Sequence, residues 1–267
     1  MKNAMPESAC FAYGDKELAW LKSRDQALGA AIEEIGPIKR AVISDLFMAL
    51  VNSIVGQQIS TAAQQTIWQR MQERFTPLTP ESIGAATAEE VQACGVSMRK
   101  ASYIKEIAES ALDGRLDLAH LRTLPDGEVC ARLSQIRGIG VWTTEMLLTF
   151  SLQRPDVMSW GDLAIHRGLR MLYRHRKITP ALFARYKRRY SPHATVASLY
   201  LWAIAGGACP DLTDCAPGAK AGKKIKKGRA QPDQSGVGDT GSVLCPAPRK
   251  GIAAPLTRAL GFQAKGR

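Results

Sequence analysis

Apolar positions recur with a helical period over most of the first two hundred residues. Residues 45–55 are apolar on most sides, as in a buried helix, and residues 99–112 are apolar on one face. Thr61 with Gln64 fits a capping box that opens a helix ending near Phe75. The alternation of β-branched residues typical of strands is nearly absent. The pattern therefore predicts helices rather than a sheet.

Short connections containing glycine or proline separate the other predicted helices. Thr79 precedes Pro80, a residue suited to a first helical turn, and a short helix begins at Ala88 and ends at Gly95. The remaining predicted helices cover residues 126–136, 141–150, 162–173, 180–189 and 193–205. We predict an all-α protein.

The composition changes sharply near Gly206. Residues 208–267 are rich in Gly, Pro, Ala and Lys and hold 11 Lys or Arg against 4 Asp. Such a segment cannot bury enough apolar surface to offset the entropy of ordering it. We expect one folded region, 1–207, followed by a mobile basic tail, 208–267.

The chain is strongly basic, with 36 Lys and Arg against 24 Asp and Glu and a net charge of +12. Such an excess suggests a polyanionic partner. Nine basic residues and no acidic residue lie between Leu163 and Tyr190, which favours phosphate contact. A solvated helical face is the alternative.

Neither a membrane protein nor a secreted one is expected. No apolar run approaches the roughly 20 residues of a spanning helix, and the first ten residues lack a basic region followed by an apolar run. The cysteines show no pairing logic, so we expect reduced thiols. If the protein is bacterial, we expect it in the cytoplasm, at the nucleoid. If it is eukaryotic, we expect it in the nucleus.

A tight Gly138-Ile139-Gly140 turn joins two predicted helices. Both glycines permit positive φ and allow a ligand to approach the backbone closely. The turn amides and the following helix N-terminus then form a site for an anion such as a phosphodiester. An ordinary helix connection explains the same residues.

Asp162 stands alone after an apolar stretch, at the start of a predicted helix and just before the basic block. Aspartate is among the best helix-capping residues, so a structural role is the alternative to a chemical one.

Together, the hairpin and Asp162 resemble the helix-hairpin-helix DNA glycosylase superfamily, and more narrowly its alkylbase branch, 3-methyladenine DNA glycosylase II. Three further stretches carry the resemblance. Residues 54–63 match the Gly-Gln loop and the helix after it, residues 95–101 match a short Gly-x-x-x-Arg/Lys element, and residues 200–202 end the helix that closes the cleft. The resemblance covers about residues 40–207.

The resemblance implies a two-lobed helical fold with DNA across the cleft between the lobes. One lobe would be a bundle of about residues 40–148, and the other would combine residues 1–39 and 149–207. We expect a monomer whose partner is double-stranded DNA containing damaged bases.

The resemblance also implies roles for individual residues. Asp162 would stabilise the oxocarbenium-like sugar and orient the attacking water. Gln58 or Gln57 would fill the gap left by the flipped base, although both could simply hydrogen-bond loop backbone. The DNA-binding residues would be Gly138, Ile139, Gly140, Gln57, Gln58, Thr143 and Arg167.

Tryptophans would form the base pocket. Trp142, Trp202 and Trp160 would attract a cationic alkylated base through their electron-rich faces, with core packing as the alternative. Relatives with strand-cleaving activity carry a lysine where Trp142 stands. We therefore expect a glycosylase without lyase activity.

We expect no cofactor apart from a possible monovalent cation at the hairpin. Cys209 and Cys215 reproduce the last spacing of an iron–sulfur motif, but the other two cysteines are missing, so no cluster is expected. No zinc-like spacing is present. His166 is expected at the surface or facing phosphate.

The function implied is a monofunctional DNA glycosylase that excises alkylated purines of the 3-methyladenine and 7-methylguanine type in base excision repair. Two alternatives stay open. One is a glycosylase for deaminated or mismatched bases, and the other is a non-catalytic helix-hairpin-helix module that binds DNA.

Overall fold

The computed structural model describes residues 10–216, which fold into thirteen α-helices and contain no β-strand. The helices are α1 (Asp15–Arg24), α2 (Gln26–Ile35), α3 (Leu46–Gly56), α4 (Thr61–Arg74), α5 (Pro80–Ala85), α6 (Ala88–Gln92), α7 (Met98–Leu112), α8 (Leu118–Leu121), α9 (Asp126–Leu133), α10 (Val141–Phe150), α11 (Leu163–Tyr173), α12 (Pro180–Tyr190) and α13 (Ala194–Ala205). Within 10–216, no helix has both the length and the apolar character needed to cross a membrane.

The all-α prediction is confirmed, with local differences at helix ends. The hydroxyl of Ser60 caps α4 by accepting from the Ala63 amide, so the predicted capping box of Thr61 and Gln64 is wrong. The Gln64 amide instead donates to Asn52, on α3. Helices α1, α2 and α8 have no counterpart among the predicted elements.

Two hydrophobic cores make the fold two-lobed. The first core is built from α3 to α10, with fully buried Leu50, Ile54 and Ile104. The second core is built from α1, α2, α11, α12 and α13, with fully buried Leu28 and Tyr200. The first lobe is therefore one continuous stretch of the chain. The second lobe combines the helices that precede it, α1 and α2, with the helices that follow it, α11 to α13.

The segment between α10 and α11 crosses from one lobe to the other. Val157 packs in the first core and the next residue, Met158, packs in the second. The Thr195 hydroxyl holds this segment by accepting from the Val157 amide at 2.8 Å and donating to the Arg154 carbonyl at 2.6 Å. The crossing lies near residue 157, later than the expected lobe boundary at 148.

The chain continues to pack after α13, beyond the expected boundary at residue 207. Cys209 is buried against Ala31, Met171 and Ile204. The Asp214 carboxylate binds the guanidinium of Arg170 in a bidentate pair. Residues 208–216 thus belong to the second lobe, and the rest of the expected tail, 217–267, lies outside the described residues.

A glycine sets the closest approach between α11 and α13. A Cβ on Gly168 would lie 2.4 Å from the Leu201 carbonyl oxygen, a backbone atom that cannot move aside without shifting α13. We expect Gly168→Ala to destabilise the protein by about 1–3 kcal/mol through overpacking, measured by urea unfolding.

The matched control is Gly127→Ala, in α9, where a Cβ would meet nothing within 4 Å. Alanine there removes the entropic cost of glycine, so we expect a gain of about 0.5–1 kcal/mol. Equal effects of the two substitutions would contradict close packing as the reason for Gly168.

Candidate functional site

The Asp162 carboxylate is buried at the start of α11, with 5% of the residue exposed. Its Oδ1 accepts hydrogen bonds from the amides of Ala164 at 2.8 Å and Ile165 at 3.0 Å. These bonds cap the helix, so the structural alternative considered for this residue is present in the fold. They also fix the orientation of the carboxylate and leave Oδ2 directed elsewhere.

The second oxygen of Asp162 is held from the other lobe. The indole N–H of Trp142, near the start of α10, donates to Oδ2 at 3.0 Å. Since α10 packs in the first core and α11 in the second, this bond joins the two lobes at the carboxylate. A carboxylate oxygen has two lone pairs, so Oδ2 keeps acceptor capacity for one more donor.

A second carboxylate, Glu145, lies one turn after Trp142 on α10. It accepts a hydrogen bond from the Ser159 hydroxyl, and Ser159 itself is buried. The carbonyl of Ser159 accepts from the Asp162 amide at 3.4 Å. Helix α10 therefore holds the segment that carries Asp162 at two points, through Trp142 and through Glu145.

The environment of Glu145 disfavours its charge. Burial raises its pKa, and the charge of Asp162 raises it further, while the Ser159 hydrogen bond and Lys187 act in the opposite direction. The sequence analysis did not identify Glu145 as a site residue. Its position as the one acidic residue in the otherwise uncharged helix 141–150 is a pattern that could have indicated it.

The two hairpin glycines serve different purposes. Gly138 has φ +84°, and a Cβ there would lie 2.6 Å from Cδ2 of Tyr103. Gly140 has φ −92°, which any residue adopts, so the expectation of positive φ at both glycines is wrong for Gly140. A Cβ on Gly140 would meet nothing within 4 Å. The fold itself therefore requires Gly138 and leaves the surface of Gly140 open.

Gly140 is the N-cap of α10, and no side chain caps this helix. The first-turn amides therefore stay available to an external acceptor, as an anion site requires. Ile139 is buried, and its amide donates to the Ile136 carbonyl at 3.0 Å. The side chain of Thr143 is also buried, so its available group is its backbone amide.

The structure separates Gln57 from Gln58. The Gln57 side chain reaches the hairpin and donates to the Gly138 carbonyl at 2.6 Å. Gln58 is exposed and has φ +57°, the left-handed region that a side chain rarely adopts. Gln57 thus makes the backbone contact considered as an alternative, while Gln58 stands at the tip of the loop.

The three tryptophans have different surroundings. Trp202 packs against Phe150 with ring centroids 5.5 Å apart, and its buried indole N–H meets no acceptor among residues 10–216. The Arg40 guanidinium lies 5.2 Å from the centroid of Phe150. Burial lowers the pKa of Arg40. The Arg40 guanidinium therefore lies beside Phe150, the ring against which Trp202 packs.

Trp160 lies outside this arrangement, in an aromatic cluster on the surface. It is 44% exposed and packs edge-on against His166, at 4.6 Å, and Phe183, at 5.1 Å. The ring of His166 also contacts the Trp160 carbonyl at 2.8 Å through Nε2. His166 is thus half-buried beside Trp160, and its pKa is lowered by burial.

Exposed apolar side chains flank the bond between Trp142 and Asp162. Val141, at the start of α10, is 61% exposed and Leu163, at the start of α11, is 59% exposed. Each lies next in the sequence to one residue of this bond, so both add exposed apolar surface beside it. Sequence pattern alone does not reveal them, because the same residues fit a buried helical face.

Part of the basic block between Leu163 and Tyr190 is neutralised within the protein. Arg170 is paired with Asp214, and Arg189 donates to the buried Asp25 at 2.6 Å. Arg167 lies 3.7 Å from Asp214 and stays half-exposed. The block as a whole is therefore not a free phosphate surface, whereas Arg167 can still reach an external anion.

Among residues 10–216, no group of three or more metal-ligating side chains comes together. Burial raises the pKa of the Cys209 thiol to about 11, which disfavours the thiolate that metals bind.

The raised pKa of Glu145 leads to a stability prediction. A carboxyl group whose pKa is higher in the folded state costs stability when it is ionised, and the cost disappears as the pH falls. Glu145→Gln keeps an oxygen that can accept from Ser159 and removes the charge. We expect the variant to unfold at higher urea concentration than the wild type at neutral pH.

This gain should shrink as the pH is lowered toward 4.5, the ordinary value for a glutamate. Glu89→Gln, on the exposed face of α6, is the control and should show no gain. A Glu145→Gln protein less stable than the wild type at neutral pH would contradict the assignment.

Comparisons with known proteins agree with this geometry. The sequence profile described as "HhH-GPD superfamily base excision DNA repair protein" matches residues 51–192. DNA-3-methyladenine glycosylase 1 of Schizosaccharomyces pombe is 38% identical over 160 residues, which cover 57% of this chain and 69% of that protein.

Two solved structures have similar folds. A DNA-3-methyladenine glycosidase from Bacillus halodurans gives a TM-score of 0.67 at 33% identity, covering 76% of this chain and 95% of that one. A 3-methyladenine DNA glycosylase from S. pombe, in complex with abasic DNA, gives 0.62 at 31% identity, covering 74% and 99%. The chain belongs to the HhH-GPD superfamily of base excision DNA repair proteins.

Proposed function

We propose that this protein is a DNA glycosylase that flips alkylated purines out of double-stranded DNA and hydrolyses their N-glycosidic bond. The observation that carries the proposal is the buried Asp162 carboxylate, held at the junction of the lobes beside an uncapped hairpin helix. Similarity to proteins named for 3-methyladenine supports the substrate class.

Asp162 acts on the sugar. Loss of the base leaves an oxocarbenium-like sugar, and a fixed carboxylate nearby lowers that barrier electrostatically. Because Oδ1 is engaged by two amides, Oδ2 is the oxygen that faces the sugar and accepts from the attacking water. Trp142 keeps Oδ2 in place, so its indole orients the carboxylate as well as lining the site.

Gln58 fills the space that the flipped nucleotide leaves. Extrusion costs a few kcal/mol for unpairing and unstacking, and a side chain inserted into the gap offsets part of it. Of the two glutamines, Gln58 is exposed at the tip of the loop, while Gln57 is engaged with the hairpin.

The hairpin grips the backbone of the DNA. The first-turn amides of α10 bind a phosphate beside the lesion, with Gly140 allowing close approach and Arg167 adding charge. The Gly138 carbonyl accepts from Gln57 and the Gly140 carbonyl accepts from Thr144, so the Ile139 carbonyl is the turn group that would hold a monovalent cation. Such a cation would supply positive charge beside the phosphate. No step of the reaction is assigned to this cation.

The base is received by aromatic side chains. Trp142 and Trp202 offer ring faces that attract a base carrying the positive charge of N3 or N7 methylation. Such a base needs no proton to leave, which agrees with a site whose central group is a carboxylate. Trp160, which is exposed and packs over His166 and the buried Phe183, is better placed to contact the DNA flanking the lesion.

The test of the function is Asp162→Asn. Asparagine is an equally good helix cap, because its oxygen can still accept from Ala164 and Ile165. We expect single-turnover release of 7-methylguanine and 3-methyladenine from duplexes to fall by about 100-fold or more. The amide nitrogen of asparagine takes the place of Oδ2 and cannot accept from Trp142, so that hydrogen bond is lost. Affinity for the lesion duplex should hold, since the phosphate contacts proposed for α10 do not involve this bond.

Asp45→Asn is the matched control, because Asp45 caps α3 in the same way from an exposed position. It should release bases at the wild-type rate. Undiminished release by Asp162→Asn would contradict the catalytic role, and wild-type protein that binds lesion DNA but releases no base would favour a non-catalytic module. Preference for uracil or hypoxanthine would contradict the alkylated-purine assignment.

A second prediction concerns the hairpin surface. Gly140→Ala adds a methyl group where the phosphate approaches, but its φ of −92° and open surroundings suit alanine. We expect DNA binding to weaken by about 1.5–3 kcal/mol, the value of one hydrogen bond to a charged group. Unfolding stability should fall by less than about 1 kcal/mol. Unchanged affinity in a fluorescence anisotropy titration would exclude a phosphate at this helix start.

A third prediction concerns strand cleavage. A Schiff base with the sugar needs an amine, and the position two residues after Gly140 holds the indole of Trp142. We propose that the product is an intact abasic site, so borohydride should trap no covalent protein–DNA adduct on a lesion duplex. An adduct that forms in step with base release would show that another amine performs lyase chemistry.

A further inference from the structure

Lys100, in the first turn of α7, is half-buried against the end of another helix. Its ammonium donates to the carbonyls of Val55 at 2.9 Å and Gln57 at 2.7 Å, at the carboxyl end of α3. A cation there satisfies carbonyls that have no helical partner and complements the helix dipole. Burial lowers the pKa of Lys100, so these contacts are made against a cost of desolvation.

The same residues lead directly to the hairpin. Gln57, whose carbonyl accepts from Lys100, donates through its side chain to the Gly138 carbonyl at 2.6 Å. One turn after Lys100, Tyr103 packs so closely under Gly138 that a Cβ would lie 2.6 Å from its ring. The first turns of α7 therefore support both the loop and the hairpin.

Between these supports lies the left-handed Gln58. Its φ of +57° is unfavourable for a glutamine and persists only where neighbouring contacts fix the backbone. One such contact is the Lys100 bond to the carbonyl of Gln57, the residue immediately before Gln58. Loss of that bond removes the link from the loop through α7 to the hairpin and leaves the direct link, the bond from the Gln57 side chain to the Gly138 carbonyl.

We propose that Lys100 is a positioning residue that fixes the Gln58 loop relative to the hairpin. Gln58 then enters the duplex at a fixed distance from the phosphate that the hairpin binds. This inference rests on the proposed function. Lys100 touches no reacting atom, and its effect is confined to steps that require the duplex to be opened.

The chain offers a matched control on the same helix. Lys105 caps the end of α5 as Lys100 caps α3, with its ammonium donating to the carbonyls of Gly84 at 2.8 Å and Ala86 at 2.7 Å. Helix α5 carries none of the residues assigned to the site. Lys105→Met therefore removes the same kind of partly buried cap without affecting the Gln58 loop.

The experiment compares Lys100→Met and Lys105→Met on two duplexes. In one, 7-methylguanine is paired with cytosine, and in the other it lies opposite an abasic analogue, where extrusion costs less. We expect single-turnover excision by Lys100→Met to fall on the order of 10- to 100-fold on the paired duplex. The abasic-analogue duplex should restore most of the rate, and Lys105→Met should match the wild type on both.

Two further variants distinguish the loss of the Lys100 contacts from a folding defect. Lys100→Arg keeps the charge and the donors and should recover most of the paired-duplex rate. Gln57→Ala cuts the link to the hairpin without touching Lys100 and should show the same dependence on the duplex. The fluorescence of 2-aminopurine next to the lesion, which rises on unstacking, should be reduced for Lys100→Met.

An equal loss by Lys100→Met on both duplexes, or the same pattern for Lys105→Met, would overturn the inference and leave the glycosylase assignment intact. Wild-type protein that releases no base from either duplex would overturn the proposed function and this inference with it.

Discussion

The site depends on one carboxylate held from two sides. The start of α11 donates two amides to Oδ1 of Asp162, and Trp142 of α10 donates its indole N–H to Oδ2. Because α10 packs in the first lobe and α11 in the second, the position of Asp162 follows from how the lobes are joined. The same side chain therefore caps α11 through Oδ1 and presents Oδ2 for the proposed chemistry.

A second constraint connects the elements proposed to contact DNA. The Gln58 loop, the hairpin turn and the first turns of α7 are joined by Lys100, Gln57 and the close contact of Tyr103 with Gly138. In the proposed reaction the insertion of a side chain and the grip on a phosphate must occur together, which requires such a connection. The hairpin continues into α10, so these contacts lead on to Trp142 and Asp162.

Much of the fold could be predicted from sequence because helices leave local signals. The helical periods of α7, α11 and α12 are strong, and α3, α10 and α13 are apolar on most sides. Thr79 and Pro80 mark the start of α5 as expected. The cap of α4 was misassigned because Ser60 and Thr61 are adjacent and chemically equivalent caps. The packing of residues 208–216 was missed because it depends on a tertiary pair, Asp214 with Arg170, inside a stretch of loop-like composition.

The sequence points to most residues of the candidate site, but it does not show their contacts. Sequence could place Trp142 and Asp162 near one another only through resemblance, and it could not show that the indole N–H meets Oδ2. It left Gln57 and Gln58 equivalent, whereas the fold engages one and exposes the other. The basic block was overestimated as a phosphate surface, because the partners of Arg170 and Arg189 lie far away in the sequence.

The most direct test of the account is a crystal structure of the protein bound to a duplex that contains a cationic pyrrolidine mimic of the oxocarbenium sugar. The account predicts that Oδ2 of Asp162 lies within roughly 3.5 Å of the ring nitrogen of the mimic. The Trp142 hydrogen bond should be intact and Gln58 should lie within the base stack. A mimic bound away from the junction of the lobes, or facing another carboxylate, would contradict the central claim.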